Sequence, residues 1–94
     1  MEHYIIVKWN EDITDKDEMY QKAKDAFEDV VNIDGVEKLD VYKSNTEKEN
    51  RYDVMIKITC SKDGLAKYDA SKLHQDWKNN FSQYIKLKTI FDCN

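Results

Sequence analysis

The chain has 94 residues, 40% hydrophobic and 36% charged, a balance that excludes a disordered chain and suffices for one small domain. The formal net charge is −4, and Lys16, Lys22 and Lys24 are interleaved with Asp15, Asp17, Glu18 and Asp25, so no basic stripe marks a nucleic-acid binder. No apolar run approaches the roughly 18 residues of a membrane span, and the opening MEHYIIVKW lacks the pattern of a signal peptide; a cytoplasmic protein without nucleic-acid or membrane partners is expected.

His3, Ile5, Val7 and Trp9 alternate with Tyr4 and Ile6, which predicts a first strand apolar on both faces and covered on both sides. Thr14 is expected to cap a helix, with Asp15, Asp17 and Glu18 in its first turn, where the helix dipole favours negative charge. Met19, Ala23, Ala26, Val30 and Ile33 follow helical spacing and predict one continuous amphipathic helix, ended by Gly35. Val36–Ser44 predicts a second strand and the polar stretch Asn45–Arg51 a hairpin loop. Tyr52–Cys60 predicts a third strand, with Tyr52, Val54, Ile56, Ile58 and Cys60 on one face and Asp53, Met55, Lys57 and Thr59 on the other. Ser61 is expected to cap a helix carrying Leu65, Ala66 and Tyr68, and Ser71 a further short helix carrying Leu73, His74, Trp77 and Phe81. A last strand places Ile85, Leu87 and Phe91 on one face and Ile90 on the other.

The order is β-α-β-β-α-β, with the second helical region broken in two. It predicts an α+β, ferredoxin-like domain spanning residues 1–94, built on a four-stranded antiparallel sheet. Helices cover only one face of such a sheet. A flat apolar face left open on a lone chain is an aggregation hazard, and homodimerisation sheet to sheet resolves it. Cys60 and Cys93 show no CxxC spacing and are expected to be free thiols, Cys60 as a small buried hydrophobe.

HYIIVKW at the start, IDGV after the first helix, the RYDVMIKIT strand, YDASKLHQDW and KTIFD together resemble the stress-responsive dimeric α/β-barrel family over nearly the whole chain. The strongest part is Tyr68 six residues before His74, with Trp77 three residues on and Asp92 near the end. Asp34 stands where the family usually has a proline, and Ser71 and Lys72 where it often has His-Pro. The chain contains no proline, which leaves these turns less rigid. The resemblance implies that two subunits stack their sheets into a barrel and that each keeps a small cavity between sheet and helices. One plant member closes a linear polyketide by aldol-type condensation, without a metal or organic cofactor. Many other members have no established activity.

His74 is the leading candidate for chemistry. With Ser71 as N-cap it falls in the first helical turn, where the positive end of the dipole disfavours imidazolium and leaves a neutral ring able to act as general base. The resemblance gives the matching histidine that role; the competing reading packs it beside Trp77. Tyr68 matches the family tyrosine, whose phenol can stabilise an oxyanion, against the alternative of a core tyrosine with a wet hydroxyl. His3 matches a cavity histidine and, with Ile5, Val7 and Trp77, is expected to contact ligand, although strand-end histidines are often exposed. No metal site is expected: His3, His74 and Asp92 are far apart in sequence, and no HxxxH or HxH pair exists. Asp92 is expected to anchor the last strand.

Three functions are compatible with these features. The first is a dimer that binds a small, largely apolar ligand, without cofactor. The second is a cofactor-independent cyclase or lyase using His74 as base and Tyr68 as oxyanion stabiliser. The third is a monooxygenase of the dimeric-barrel type, which rests on shared fold alone.

Overall fold

In the computed structural model, which describes residues 1–94, the alternating apolar positions near the N-terminus form β1 (Glu2–Trp9). His3, Ile5, Val7 and Trp9 are buried on one face; Tyr4 and Ile6 are half-buried on the other. Asp15 rather than Thr14 caps α1 (Lys16–Phe27), its carboxylate accepting the Glu18 N–H at 3.0 Å. An acceptor three residues ahead of a free amide is the geometry an N-cap requires, and aspartate supplies it well. Met19, Ala23 and Phe27 form the buried stripe. The helix is not continuous to Ile33. It tightens into a 3-10 segment over Glu28–Asn32, which still buries Val30, and Ile33 is extended. Val30, Val31 and Asn32 are weak helix formers, and 3-10 turns are common where an α-helix ends. Gly35 therefore serves not as a helix cap but in the turn into the next strand, at φ +89°.

That strand is β2 (Val36–Lys43), followed after the polar loop by β3 (Val54–Cys60). The third strand begins two residues later than expected. Tyr52 leaves the row of inward residues, and its hydroxyl meets Thr89 Oγ1 at 2.8 Å. Asp53 is buried: its carboxylate accepts the Trp9 N–H at 2.8 Å and faces Lys16 Nζ at 3.0 Å, tying the start of β3 to the end of β1 and to α1. Then come α2 (Lys62–Asp69), α3 (Lys72–Phe81), a 3-10 turn over Ser82–Tyr84 and β4 (Ile85–Cys93). The four strands lie in the order β2-β3-β1-β4 with every neighbouring pair antiparallel. The expected topology is present, and the second helical region is two helices, α2 and α3.

Ile5, Val7, Phe27, Ile56, Ile58 and Trp77 anchor one apolar core between sheet and helices. A register shift between Lys8 and Trp9 alters the facing of β4: Ile85 pairs with Trp9, whereas Leu87 and Phe91 pair with Lys8 and Tyr4 on the far face. Ile85 therefore packs against the core and parts company with Leu87 and Phe91. Directly opposed residues share a face. The far face thus carries the rows Tyr42–Met55–Ile6–Thr89 and Asp40–Lys57–Tyr4–Phe91. It is banded rather than uniformly apolar, with Lys57 Nζ 3.9 Å from Glu2 Oε2 near its middle. No helix is long and apolar enough to cross a membrane.

Candidate functional site

Tyr68 lies at the end of α2 with 1% of its surface exposed, and its hydroxyl is buried without a hydrogen-bond partner. Burial pushes the phenol's pKa up, with a smaller contribution from the negative charge of Asp69, so the hydroxyl stays protonated and able to donate. The chain turns at once into α3. Ser71 caps that helix, accepting the His74 N–H at 3.1 Å and donating its own hydroxyl to the Tyr68 carbonyl at 2.6 Å. The cap holds His74 beside Tyr68 across the break between the two helices, with ring centroids 4.8 Å apart. His74 Nδ1 lies 2.9 Å from the Asp69 carbonyl. A carbonyl only accepts, so this contact assigns the ring proton to Nδ1 and leaves the lone pair on Nε2.

The sheet supplies the third ring. His3 points inward from β1, is 7% exposed, and lies 5.8 Å from the Tyr68 ring, centroid to centroid. Its Nδ1 is 2.5 Å from Asp92 Oδ1, the residue opposite it on β4. Three residues from three elements thus form a continuous aromatic row, His3–Tyr68–His74, with Phe27 packed beside the tyrosine at 6.2 Å. A buried, unpaired donor between two imidazoles can bind an electron-rich ligand oxygen, and the His74 Nε2 lone pair can accept a proton.

The other expected ligand residues are placed differently. Ile5 and Val7 are buried in the core. Trp77 stacks edge-on to Phe27 at 4.8 Å and lines, with Leu73, Asp76 and Phe81, a groove of about 370 Å³ beside α1. None of the open grooves is lined by His3, Tyr68 or His74. No three His, Cys, Asp or Glu side chains are arranged to hold a metal ion. Both cysteines are free; Cys60 is buried, which pushes its thiol pKa up. Sequence reasoning missed the Asp92–His3 contact and the buried Asp53. The alternation of Phe91 and Asp92 was visible, but only the strand register brings Asp92 opposite His3.

A split-βαβ sheet with helices on one side, a banded sheet face on the other and an aromatic row between layers defines a ferredoxin-like α+β domain. The chain belongs to the stress-responsive A/B barrel domain (Dabb) family, whose model matches residues 1–94. No curated protein matches the sequence. Among solved structures, the fold is similar to a protein from Arabidopsis thaliana, with 16% identity and a TM-score of 0.79 over 99% of this chain and 92% of that one. It is similar also to a dimeric protein of unknown function from Bacteroides fragilis, with 15% identity and a TM-score of 0.82 over 99% and 93%. A dimeric ferredoxin-like protein of unknown function from Thermobifida fusca gives 15% identity and a TM-score of 0.76 over 96% and 85%.

Proposed function

We propose that this protein is a homodimer, joined through the far face of its sheet, that binds a small, largely apolar ligand between sheet and helices, with one ligand oxygen on the Tyr68 hydroxyl. The observation that carries the ligand reading is that hydroxyl itself. A buried donor without a partner costs roughly 1–3 kcal/mol, a cost that a bound oxygen relieves. Phe27, packed beside Tyr68, would supply the nearest apolar surround, with Trp77 behind it and Ile5 and Val7 in the core beneath. Ligand entry requires the aromatic row to part, and half-buried His74 is its most accessible member. The dimer reading draws on the exposed Tyr42, Leu87 and Phe91 and on the dimeric relatives of the same fold.

The tautomer at His74 favours a second reading, cofactor-independent lyase or cyclase chemistry. His74 Nε2 would take a proton from a carbon next to a carbonyl. The C–H electron pair would become an enolate, its oxygen held by the Tyr68 hydroxyl. The enolate carbon would then attack a second carbonyl carbon, and the proton on His74 would pass to the resulting alkoxide.

A thermal-shift screen of small aromatic and aliphatic ketones tests the first reading. Wild-type protein should be stabilised by some of them, and Tyr68→Phe should lose that stabilisation. Equal shifts in both proteins would remove Tyr68 from the site. For the second reading, His74→Ala should abolish turnover of any ligand so found while sedimentation shows an unchanged dimer.

A further inference from the structure

We infer that Asp92 is a positioning residue for His3, and that the Asp92–His3 pair is a second proton-handling group in the site, delivered from the sheet as His74 is from the helices. The inference rests on the reading above that ligand meets the Tyr68 hydroxyl.

The geometry separates this pair from an ordinary surface contact. His3 is almost fully buried, while the Asp92 side chain is 45% exposed on the edge strand. An exposed carboxylate contributes little stability through one ion pair. Its effect falls instead on the buried ring. By accepting from Nδ1 at 2.5 Å, Asp92 assigns the ring proton to that nitrogen and leaves Nε2 with no hydrogen bond inside the chain. A carboxylate on Nδ1 also holds the ring in one orientation, so Nε2 can pick up a proton and release it without the ring turning. The same tautomer occurs at His74, where a backbone carbonyl takes the place of the carboxylate. Both histidines therefore present Nε2, and Tyr68 is the ring next to each.

The test uses the full chain as wild type, Asp92→Ala, Asp92→Asn and His74→Ala. Long-range 1H–15N spectra report which nitrogen of His3 carries the proton. Wild type should show Nδ1–H. Asp92→Ala should shift the proton to Nε2, and Asp92→Asn, whose amide oxygen still accepts, should keep it on Nδ1. The second readout is protein-dependent deuterium exchange into the methyl group of acetophenone in heavy water. Asp92→Ala should slow it about tenfold, the size of a lost charge-assisted hydrogen bond, with partial rescue in Asp92→Asn. An Nε2–H tautomer in wild type, or an unchanged His3 spectrum in Asp92→Ala, overturns the inference. A changed tautomer with wild-type exchange overturns it too, because the pair would then serve only the strand. Should wild type and His74→Ala both fail to promote exchange, the reading of the ligand site falls, and the His3 spectrum alone decides what Asp92 does.

Discussion

Tyr68 and Asp53 are two buried polar side chains with opposite circumstances, and they lead to opposite expectations. The Tyr68 hydroxyl has no partner, so Tyr68→Phe removes an unpaired polar atom and should leave stability unchanged or raise it by up to about 1 kcal/mol in urea denaturation. The variant should also alter the alkaline limb. Above about pH 10 the phenol ionises in the unfolded chain but not in the folded one. The unfolded state then binds fewer protons, so stability falls as pH rises. Wild type should lose stability between pH 9 and pH 11 more steeply than Tyr68→Phe, by up to one proton's worth of slope, about 1.4 kcal/mol per pH unit. Identical slopes would mean that the phenol is wet. Asp53, by contrast, satisfies the Trp9 N–H and Lys16. Asp53→Ala leaves an amide and an ammonium group unpaired near the core and should cost about 2–4 kcal/mol in the same assay. The sequence placed Asp53 on the face opposite Val54 and Ile56 because alternation was counted from Tyr52; the strand begins at Val54, so the count did not apply there.

At the scale of elements, two short features hold the helical layer in place. Gly35 and Gly64 let the turn before β2 pass directly against α2. A Cβ on Gly35 would lie 2.6 Å from Gly64 Cα, and one on Gly64 would overlap the Gly35 carbonyl. Gly64→Ala must push α2 away from the sheet and should cost about 1–3 kcal/mol, seen as a lower midpoint in urea. Gly64 stands inside a helix, where alanine ordinarily stabilises, so a more stable variant would show that the close approach is wrong. Ser71 is the second feature. Ser71→Ala removes an N-cap worth about 1 kcal/mol and frees the turn that seats His74 beside Tyr68. Ser61 and Ser71 were recognisable as caps because serine before an apolar helical pattern has a local meaning. The misplaced cap at Thr14 and the early end of α1 both turn on local choices that the pattern left open: Asp15 competes with Thr14 for the cap, and weak helix formers tighten the last turn into a 3-10 segment.

For the whole molecule, the decisive surface is the far face of the sheet. Phe91 is 58% exposed there, beside Tyr4 in the next strand. The double variant Tyr42→Asp, Phe91→Asp should sediment as a single subunit at micromolar concentration, where the proposed dimer predicts that wild type sediments as a pair. Tyr42 and Phe91 stand on the two edge strands of that face, and charges desolvated within an interface without partners cost several kcal/mol. A wild type that remains monomeric at that concentration would remove the dimer, and with it the reason for an apolar band on a face that the helices do not cover.

The sequence by itself determined the order of elements, the inward faces of β1 and β3, the caps of α2 and α3, and the family. Each of these depends on periodicity or on neighbours a few residues apart. His74 in the first turn of its helix was legible for the same reason. Only the tertiary structure decided that Asp92 meets His3, that Tyr68 is sealed without a partner, and that Ile85 turns away from Leu87 and Phe91. Those facts depend on strand register and on packing between elements dozens of residues apart, which local pattern does not encode.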